Sequence, residues 1–405
     1  MKALGLVSEW HPFHHGHAYF LKEARRASQA DILVAVMSGN FTQRGEPAIL
    51  DKWARAEVAI DFGCDLVVEL PVWWATQPAN RFAWGSVSLL HQLGVQGLAF
   101  GTEAATFTSY IQFARWLSQH QAFANKAWRA WQKGRPYQSY AEARFAFYQE
   151  LCQQETDLAG LELDFTEKSN NLLAFRYVLA AEEQGLAWPY YPIPRFKASH
   201  RTRGGRDGFA SGSWLRKKIR QATPWSTLAP YVPKKTLHQL KTQNTGASLK
   251  RAYPYLRYVL LGQTPTELGQ TYLFEGGIAY RLQEKAQAET SYEGFIQAVR
   301  NKNWPKSRLE RALLQLFLQR KDRDMRQLEQ EKPPFLLLGA SPRGRKYLRQ
   351  RQALPVISRW QRAESERWPA VVQAERLYEE FLAPRATSQL VGRIPYFSKA
   401  EKSET

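Results

Sequence analysis

Short apolar runs and helical stretches alternate over the first part of the chain, and this pattern restricts the fold more than any other feature of the sequence. Strands separated by helices form βαβ units, whose strands lie parallel in a buried sheet. A ligand of such a sheet binds beyond the carboxyl ends of the strands. We therefore predict an open α/β sheet with its site in the loops after Val7, Val36, Val68 and Phe100. The predicted elements are strands 3–7, 31–37, 65–69 and 95–100 and helices 16–27, 51–62 and 80–93.

The pattern changes at about residue 104 and again at about residue 221. Residues 104–163 are rich in aromatic side chains among polar ones, which predicts a helical insertion. Beyond residue 221 the pattern is mainly helical, apart from a strand-like run at 333–339. A chain of 405 residues has room for two or three domains. We predict an α/β domain over residues 1–220, with the insertion at about 104–163, and a mainly helical C-terminal domain over residues 221–405.

The positive charge of the chain is concentrated in one span. The formal net charge is +19, yet residues 1–103 contain 8 basic and 10 acidic residues. Residues 195–260 contain 15 basic residues and one acidic residue, Asp207, a net charge of +14. Such a span indicates a polyanionic partner, and nucleic acid is favoured over lipid because the sequence has no amphipathic anchor or lipidation signal. A solvated basic surface is the alternative.

Cysteine content and apolar runs indicate the cellular compartment of the protein. Cys64 and Cys152 are the only cysteines, so we expect neither a disulfide framework nor an all-cysteine zinc site. The opening residues lack the charged n-region and apolar core of a signal peptide, so we expect none, and no apolar run reaches spanning length. We expect a cytoplasmic protein without membrane contact, and we infer no stable protein partner.

The strongest chemical signal is Glu9-Trp-His-Pro-Phe-His-His-Gly-His17, which follows the first predicted strand and begins the first predicted helix. His14 and His17 lie at i and i+3 with Gly16 between them, so both imidazoles lie at a helix N-terminus that a ligand can approach closely. Backbone N–H groups attract an anion there, and imidazoles can donate to the bridging oxygens of a polyphosphate. A metal site is the competing interpretation, although the i,i+4 histidine pair of many zinc helices is absent, and we assign no metal ligand.

A second candidate is Ser211-Gly-Ser-Trp-Leu-Arg216, followed by Lys217 and Lys218. Hydroxyl groups at a helix start cap the helix or bind phosphate, and an arginine one turn later can neutralise the charge of leaving phosphates. The alternative is an ordinary capped helix with a basic first turn.

The two motifs resemble those of the nucleotidylyltransferase superfamily, an H-x-G-H turn after the first strand and a later S-S-T-x-x-R motif. Further segments narrow the resemblance to the bacterial tRNA(Met) cytidine acetate ligase family and extend it over most of the chain. These segments are Gly5–Glu9, Pro12–His14, Met37–Ala48, Asp65–Pro71, Phe100–Glu103, Ser169–Leu172, Leu338-Gly339 and Gly344-Arg345. The chain departs from the family pattern at Trp10, His11, His15, Lys197, Gly212 and Ser213.

The resemblance implies a Rossmann-like nucleotidylyltransferase sheet with a helical insertion and a basic, mainly helical C-terminal domain that binds tRNA. It implies an ATP-dependent ligase that activates acetate as acetyl-adenylate, with Mg²⁺ assisting, and releases diphosphate. The acetyl group then passes to N4 of the wobble cytidine, position 34, of elongator tRNA(Met), giving N4-acetylcytidine and AMP. Two alternatives stay open: a small-molecule adenylyltransferase or other acyl-adenylate-forming enzyme, and a non-catalytic RNA-binding protein on a nucleotide-binding fold.

The resemblance also implies which residues bind ATP. Charge that develops on the leaving diphosphate calls for cationic donors, so His14, His17 and Arg216 are the candidate catalytic residues. One of the two asparagines at 170 and 171 is expected to complete the ATP site together with Arg195. The full set of expected ATP-binding residues is Val7, Ser8, Glu9, Pro12, Phe13, His14, Gly16, His17, Gly101, Asn170, Asn171, Arg195, Ser211 and Ser213.

Two further groups of residues are expected to bind the other substrates. The loop after the second strand is the candidate acetate site, through Gly39, Asn40, Gln43 and Arg44, and a simple glycine turn is the alternative. The candidate tRNA contacts are Arg201, Arg203, Arg206, Lys217, Lys218 and Arg220.

Overall fold

The computed structural model describes residues 1–104, 106–133, 135, 140–165, 169–195, 208–243, 246–351, 354–383 and 386–399. Its strands are β1 (Ala3–Ser8), β2 (Ile32–Ser38), β3 (Leu66–Leu70), β4 (Leu98–Thr102), β5 (Tyr190–Pro194), β6 (Phe335–Ala340), β7 (Val356–Ile357) and β8 (Tyr396–Phe397). The helices up to residue 220 are α1 (His15–Ser28), α2 (Lys52–Asp61), α3 (Val72–Ala75), α4 (Ala79–Gln92), α5 (Thr108–Gln119), α6 (Gln121–Trp131), α7 (Tyr140–Gln154), α8 (Ser169–Glu183) and α9 (Gly212–Arg220). The later helices are α10 (Trp225–Leu228), α11 (Lys234–Thr242), α12 (Leu249–Gly262), α13 (Pro265–Leu268), α14 (Ile278–Ala288), α15 (Tyr292–Val299), α16 (Lys306–Phe317), α17 (Asp322–Gln330), α18 (Pro342–Gln350), α19 (Arg362–Arg367) and α20 (Pro369–Leu377).

One sheet with the strand order β5-β4-β1-β2-β3-β6-β7 lies at the centre, and β8 pairs with β6. The strands β1 to β5 are mutually parallel, and the register places Ser8 opposite Met37 and Met37 opposite Glu69. Every residue of β2 is buried, as expected for a strand covered on both faces. The predicted α/β sheet is confirmed, since each element predicted in the first hundred residues is present, with ends shifted by a few residues at most.

The segment predicted as a helical insertion contains α5, α6 and α7. Phe113 of α5 stacks on Phe175 of α8 with ring centroids 5.7 Å apart, and Tyr148 of α7 contacts both rings. The aromatic spacing of the insertion thus arises from packing against the sheet domain.

The C-terminal part of the chain adds to the same sheet. Strand β6 pairs antiparallel with β3, with Leu66 opposite Ala340. A second apolar core lies among α12, α14, α15, α16 and α20 and includes Phe41 from the loop after β2. This helical core therefore reaches the carboxyl edge of the parallel strands. The boundary at residue 220 stays a prediction. Within the ranges given above, no helix is long and apolar enough to cross a membrane.

Candidate functional site

The loops that follow β1 and β2 are held together at the carboxyl edge of the sheet by Arg55 of α2. Its guanidinium donates to the carbonyl oxygens of Glu9 at 2.6 Å and Ser38 at 3.0 Å, and also to that of Gly39. Arg55 is fully buried, and burial lowers its pKa. Sequence reasoning missed this residue, because Arg55 is one of several charged residues of α2 and nothing in the local pattern marks it as buried.

His14 and His17 form the centre of the site. His14 precedes α1 in an extended conformation, and its backbone N–H donates to Nδ1 of His17 at 3.2 Å. The two imidazole rings stack with their centroids 3.7 Å apart. Gly16 permits this arrangement, because a Cβ at that position would lie 2.9 Å from Cε1 of His14.

Burial keeps both imidazoles neutral. It lowers the pKa of His14 to about 3, and the positive charge of Arg195 adds to the effect. It also lowers the pKa of His17 well below the usual value. Without a ligand, both imidazoles are thus neutral and arginines supply the positive charge of the site, while the catalytic role of the two histidines stays a prediction. Because Nδ1 of His17 accepts a hydrogen bond, the proton of this ring lies on Nε2.

The second motif meets the first in space. Ser211 caps α9 through its hydroxyl, and Arg216 donates to the carbonyl oxygen of His11 at 2.9 Å across 205 residues of sequence. A Cβ at Gly212 would lie 4.0 Å from Nε2 of His14. The start of α9 therefore lies beside the start of α1, and both helices have backbone N–H groups available to an anion.

A third group of site residues lies at the end of β4 and the start of α8. Asn171 is fully buried, and its Oδ1 accepts from the hydroxyl of Thr102 at 3.0 Å and from the backbone N–H of Glu103 at 2.8 Å. The carboxylate of Glu103 accepts from Asn170 and from Arg195, the latter at 3.1 Å. Nδ2 of Asn171 has no hydrogen-bond partner within the described part of the chain. Glu103, a positioning group for two predicted ATP-binding residues, was not among the predicted site residues.

The other predicted ATP-binding residues lie at the same edge. A Cβ at Gly101 would have Cγ of Arg195, 4.0 Å away, as its nearest neighbour, so there is open space beside this glycine. The hydroxyl of Ser213 lies 3.1 Å from that of Ser211. Val7 and Ser8 end β1, and Pro12 and Phe13 are buried just before α1.

The side chain of Asn40, predicted to contact acetate, forms its hydrogen bonds within the protein. Its Nδ2 donates to Glu375 at 2.6 Å and to Gln389 at 3.0 Å, and its Oδ1 accepts from the backbone N–H of Lys52 at 2.9 Å. Asn40 is almost fully buried. This side chain therefore joins the loop to the C-terminal part of the chain, and a contact with acetate by the loop stays a prediction for its other polar groups.

The rest of that loop lies against the C-terminal helices. The backbone N–H of Gln43 donates to Glu9 at 2.6 Å, and its carbonyl oxygen accepts from Arg311 of α16 at 3.1 Å. A Cβ at Gly45, which has φ +81°, would lie 2.5 Å from the backbone nitrogen of Arg311. Arg44 between them is exposed. Arg44 is thus the most exposed polar side chain of the loop, whereas Gln43 and Glu46 are half-buried.

A buried network of charged side chains packs against the loop after β2. Lys52 is fully buried and its ammonium lies 2.7 Å from Glu69 and 2.9 Å from Glu375. Burial raises the pKa of Glu69 to about 7, against the opposing effect of Lys52. Gly39 must lack a side chain, because a Cβ there would clash with the Glu69 carboxylate.

The predicted tRNA-binding residues divide into three groups. Arg201, Arg203 and Arg206 lie outside the described residues, as does Lys197. Arg220 forms an ion pair with Glu46 at 2.6 Å. Lys217 is exposed on α9, and the ammonium of Lys218 lies 5.9 Å from the ring centroid of Trp214.

The departures at Trp10 and His11 lie in the core of the site loop. Trp10 is buried and has φ +44°. His11 is also buried, and its Nδ1 accepts from the backbone N–H of Ile49 at 3.1 Å. Burial lowers the pKa of His11 well below the usual value, so this ring is a neutral acceptor.

The metal interpretation of the histidine motif gains no support. Over the ranges that the structure describes, no group of three or more His, Cys, Asp or Glu side chains could hold a metal ion.

Comparisons with known proteins show the family and the fold of the chain. The family model described as HIGH Nucleotidyl Transferase matches residues 1–393. A tRNA(Met) cytidine acetate ligase of Limosilactobacillus reuteri is 35% identical over 363 residues, which cover 89% of this chain and 90% of that protein. The ligase of the same name from Bacillus subtilis is 32% identical over 411 residues, covering 98% and 97%. The crystal structure of Thermotoga maritima TmcAL bound with alpha-thio ATP superimposes with a TM-score of 0.85 at 27% identity, covering 98% of this chain and 99% of that one.

Proposed function

The chain belongs to the tRNA(Met) cytidine acetate ligase family within the HIGH nucleotidyl transferases, and on this premise we propose that it uses ATP to acetylate tRNA(Met). Acetate is first converted into acetyl-adenylate. The acetyl group is then transferred to N4 of the wobble cytidine of the elongator tRNA(Met). The products are N4-acetylcytidine, AMP and diphosphate.

One observation carries the proposal: two helix N-termini and two arginines surround His14. The start of α9 lies beside this imidazole, and the positive charges of Arg195 and Arg216 both lower its pKa. Helix N-termini and guanidinium groups are the groups that bind polyphosphates in proteins. An ATP triphosphate fits this combination better than a neutral ligand does.

The first chemical step is a displacement at the α-phosphorus. An oxygen of acetate forms a bond to that phosphorus while the bond to the β-phosphate oxygen breaks, and diphosphate leaves with the electron pair. Negative charge grows on the leaving oxygens, and we expect the Nε2–H of His17 and the guanidinium of Arg216 to donate to them. No protein nucleophile is needed, and no described cysteine takes part.

The adenosine part of ATP is proposed to lie near Gly101 and Asn171. The open space beside Gly101 lets a ligand approach the backbone of β4. The Nδ2–H of Asn171 is oriented by the two hydrogen bonds that its Oδ1 accepts, and since this atom is buried, we expect it to donate to ATP after a local opening of the site. Glu103 holds Asn170 and Arg195 on the other side of the same strand end.

The second step passes the acetyl group to the tRNA. N4 of the cytidine attacks the acetyl carbonyl, the bond to the AMP phosphate oxygen breaks, and the amine releases a proton. Mg²⁺ arrives with ATP phosphates in many enzymes and needs few protein carboxylates. Since the described residues include no acidic or histidine cluster for a metal, no step of the proposal depends on a protein-bound ion.

The deciding experiment is incubation with ATP, labelled acetate and bulk tRNA, followed by digestion to nucleosides. We expect label in N4-acetylcytidine only when ATP and tRNA are both present. Transfer of the adenylyl group to a stable small product would favour an adenylyltransferase instead. Binding of tRNA without any turnover of ATP would favour a non-catalytic RNA-binding protein.

A further inference from the structure

Three arginines surround the loop after β2, and none of them has a carboxylate partner in the described part of the chain. They are Arg44 at the tip of the loop, Arg216 of α9 and Arg311 of α16, and we call them the arginine cluster. Three like charges held around one short loop repel one another, so the binding of an anionic ligand among them is favourable.

The hydrogen bonds of the loop bring the three residues to one place. The end of the loop is bound to His11 through the backbone N–H of Ile49, and Arg216 donates to the carbonyl oxygen of the same histidine. At the other side, Arg311 donates to the carbonyl oxygen of Gln43. Arg44 therefore lies between the ATP-binding motifs and helix α16.

The nearby carboxylates form their hydrogen bonds and ion pairs with groups outside the cluster, although Glu46 and Glu9 act on Arg216 at longer range. Three of them are the Glu9 carboxylate, which accepts from the backbone of Gln43, Glu46, which pairs with Arg220, and Glu310, which accepts from Tyr292. Arg308, next to Arg311 on α16, pairs with Glu275 at 2.8 Å. In the described part of the chain, the arginine cluster thus holds three positive charges with no direct ion pair.

Arg311 is partly removed from solvent and lies among other positive charges. Its Nε is buried with no hydrogen-bond partner. Burial and the neighbouring charges of Arg308 and Arg44 lower its pKa to about 10. Arg44 also lowers the pKa of Arg216, after the larger effect of burial. A guanidinium that is held partly desolvated among other cations gains strongly when an anion arrives.

We propose that Arg311, together with Arg44, binds a phosphodiester group of the RNA substrate next to the target cytidine. This proposal rests on the proposed function. Arg44 is exposed, so the ligand approaches from solvent, as a large substrate does. The cluster carries three positive charges, which match several phosphates of a polyanion better than the single charge of acetate. Arg311 lies outside the basic span 195–260, so the RNA surface continues onto α16.

The test compares Arg311→Gln with Arg311→Lys, which keeps the charge, and with Arg362→Gln as matched control. Arg362 has a 93% exposed side chain on α19 and pairs with its helix neighbour Glu366. Each variant is measured in tRNA acetylation, in acetate-dependent exchange of diphosphate into ATP without tRNA, and in tRNA binding over a range of salt concentrations.

We expect R311Q to raise the KM for tRNA and to slow the exchange reaction by different factors. The factor for KM should be at least about ten times the factor for the exchange rate. The slope of log affinity against log salt should fall by about 0.7 in R311Q, as for loss of one contact to single-stranded RNA. R311K should keep most of the slope, and R362Q should match the parent. Arg44→Gln, at an exposed loop position, serves as the second variant should R311Q fail to fold.

Equal losses in acetylation and exchange would overturn the proposal, as would a raised KM for acetate with an unchanged KM for tRNA. The latter result would assign the cluster to the carboxylate substrate. Absence of both reactions in the parent protein would refute the proposed function itself. The tRNA titrations of the same variants would then still decide the role of Arg311.

Discussion

The backbone N–H of His14 donates to Nδ1 of His17, and the two neutral rings stack on each other at the start of α1. This contact fixes the tautomer of His17, because a ring nitrogen that accepts cannot also carry the proton. The nitrogen left as a donor is Nε2. A ring that is neutral and already oriented needs no ionisation to donate to a leaving phosphate.

His17→Ala should therefore abolish most acetate-dependent turnover of ATP. Removal of a preorganised donor to developing charge costs on the order of 10²–10³ in rate. The measurement is diphosphate release, with circular dichroism as the check on folding. The control is His238→Ala on the exposed face of α11. Activity of H17A within a few-fold of the parent would contradict the assignment, and stoichiometric zinc lost on mutation would favour a metal site.

The pH dependence of stability tests the neutral state of His14. The pKa is near 6.5 in the unfolded chain and about 3 in the folded protein. Between these values the unfolded chain binds a proton that the folded protein does not, so the free energy of unfolding falls as the pH falls. The limiting slope for one histidine is about 1.4 kcal/mol per pH unit. Urea unfolding at about pH 7 and about pH 5 should show a weaker dependence in His14→Gln than in the parent. Equal dependences would mean that His14 is protonated in the folded protein.

Lys52→Met should destabilise the fold strongly. It leaves the buried carboxylates of Glu69 and Glu375 without a cation, and such a loss costs about 3–5 kcal/mol. The matched control is Lys235→Met, because Lys235 also contacts two carboxylates, those of Glu57 and Asp61, but is 29% exposed. That change should cost under about 1 kcal/mol. Similar free energies of unfolding for the two variants would argue against a buried network.

Comparing Gly45→Ala with Gly63→Ala should separate the cost of a steric clash from the cost of a positive φ. Gly45 and Gly63 both have positive φ, +81° and +99°, but only Gly45 has the backbone of Arg311 where a Cβ would go. Gly63→Ala should cost about 1–2 kcal/mol from the left-handed conformation alone. G45A should cost more and should also move the loop that carries Arg44. Thermal unfolding of both variants gives the comparison, and equal losses would show that the contact with α16 contributes nothing.

Polyanion binding should depend on Lys217 more than on Arg220. Lys217 is exposed, whereas Arg220 is already paired with Glu46. Each phosphate contact removed should lower the slope of log affinity against log salt by about 0.7–0.9. We expect this fall for Lys217→Ala and a smaller one for Arg220→Ala in tRNA titrations. Unchanged slopes in a combined variant with Lys218→Ala would make this surface an ordinary solvated one.

Local patterns predicted the parallel part of the sheet well. The apolar run around Val34 and the helical spacing around Ala24 depend only on neighbours in sequence, and both elements are where the pattern places them. The turn that contains His14 could be predicted equally well, because it requires only a strand end followed by a helix start.

Partners that are distant in sequence could not be predicted. Lys52 follows the capping residue Asp51 and resembles a surface lysine, yet its partner Glu375 lies 323 residues away. Asn40 looked like a ligand contact, and its partners Glu375 and Gln389 are equally remote. The neutral state of His14 depends on burial by several elements, which no residue spacing records.

The antiparallel pairing of β6 with β3 has a consequence during synthesis of the chain. When residues 1–220 have left the ribosome, all five parallel strands are available, but β3 still lacks its outer neighbour. Its unpaired backbone groups remain a template for other chains until residues 335–340 emerge. Translation speed and chaperone access over this interval therefore bear directly on yield. A fragment that stops at residue 220 would expose an apolar Val-rich strand edge and should aggregate.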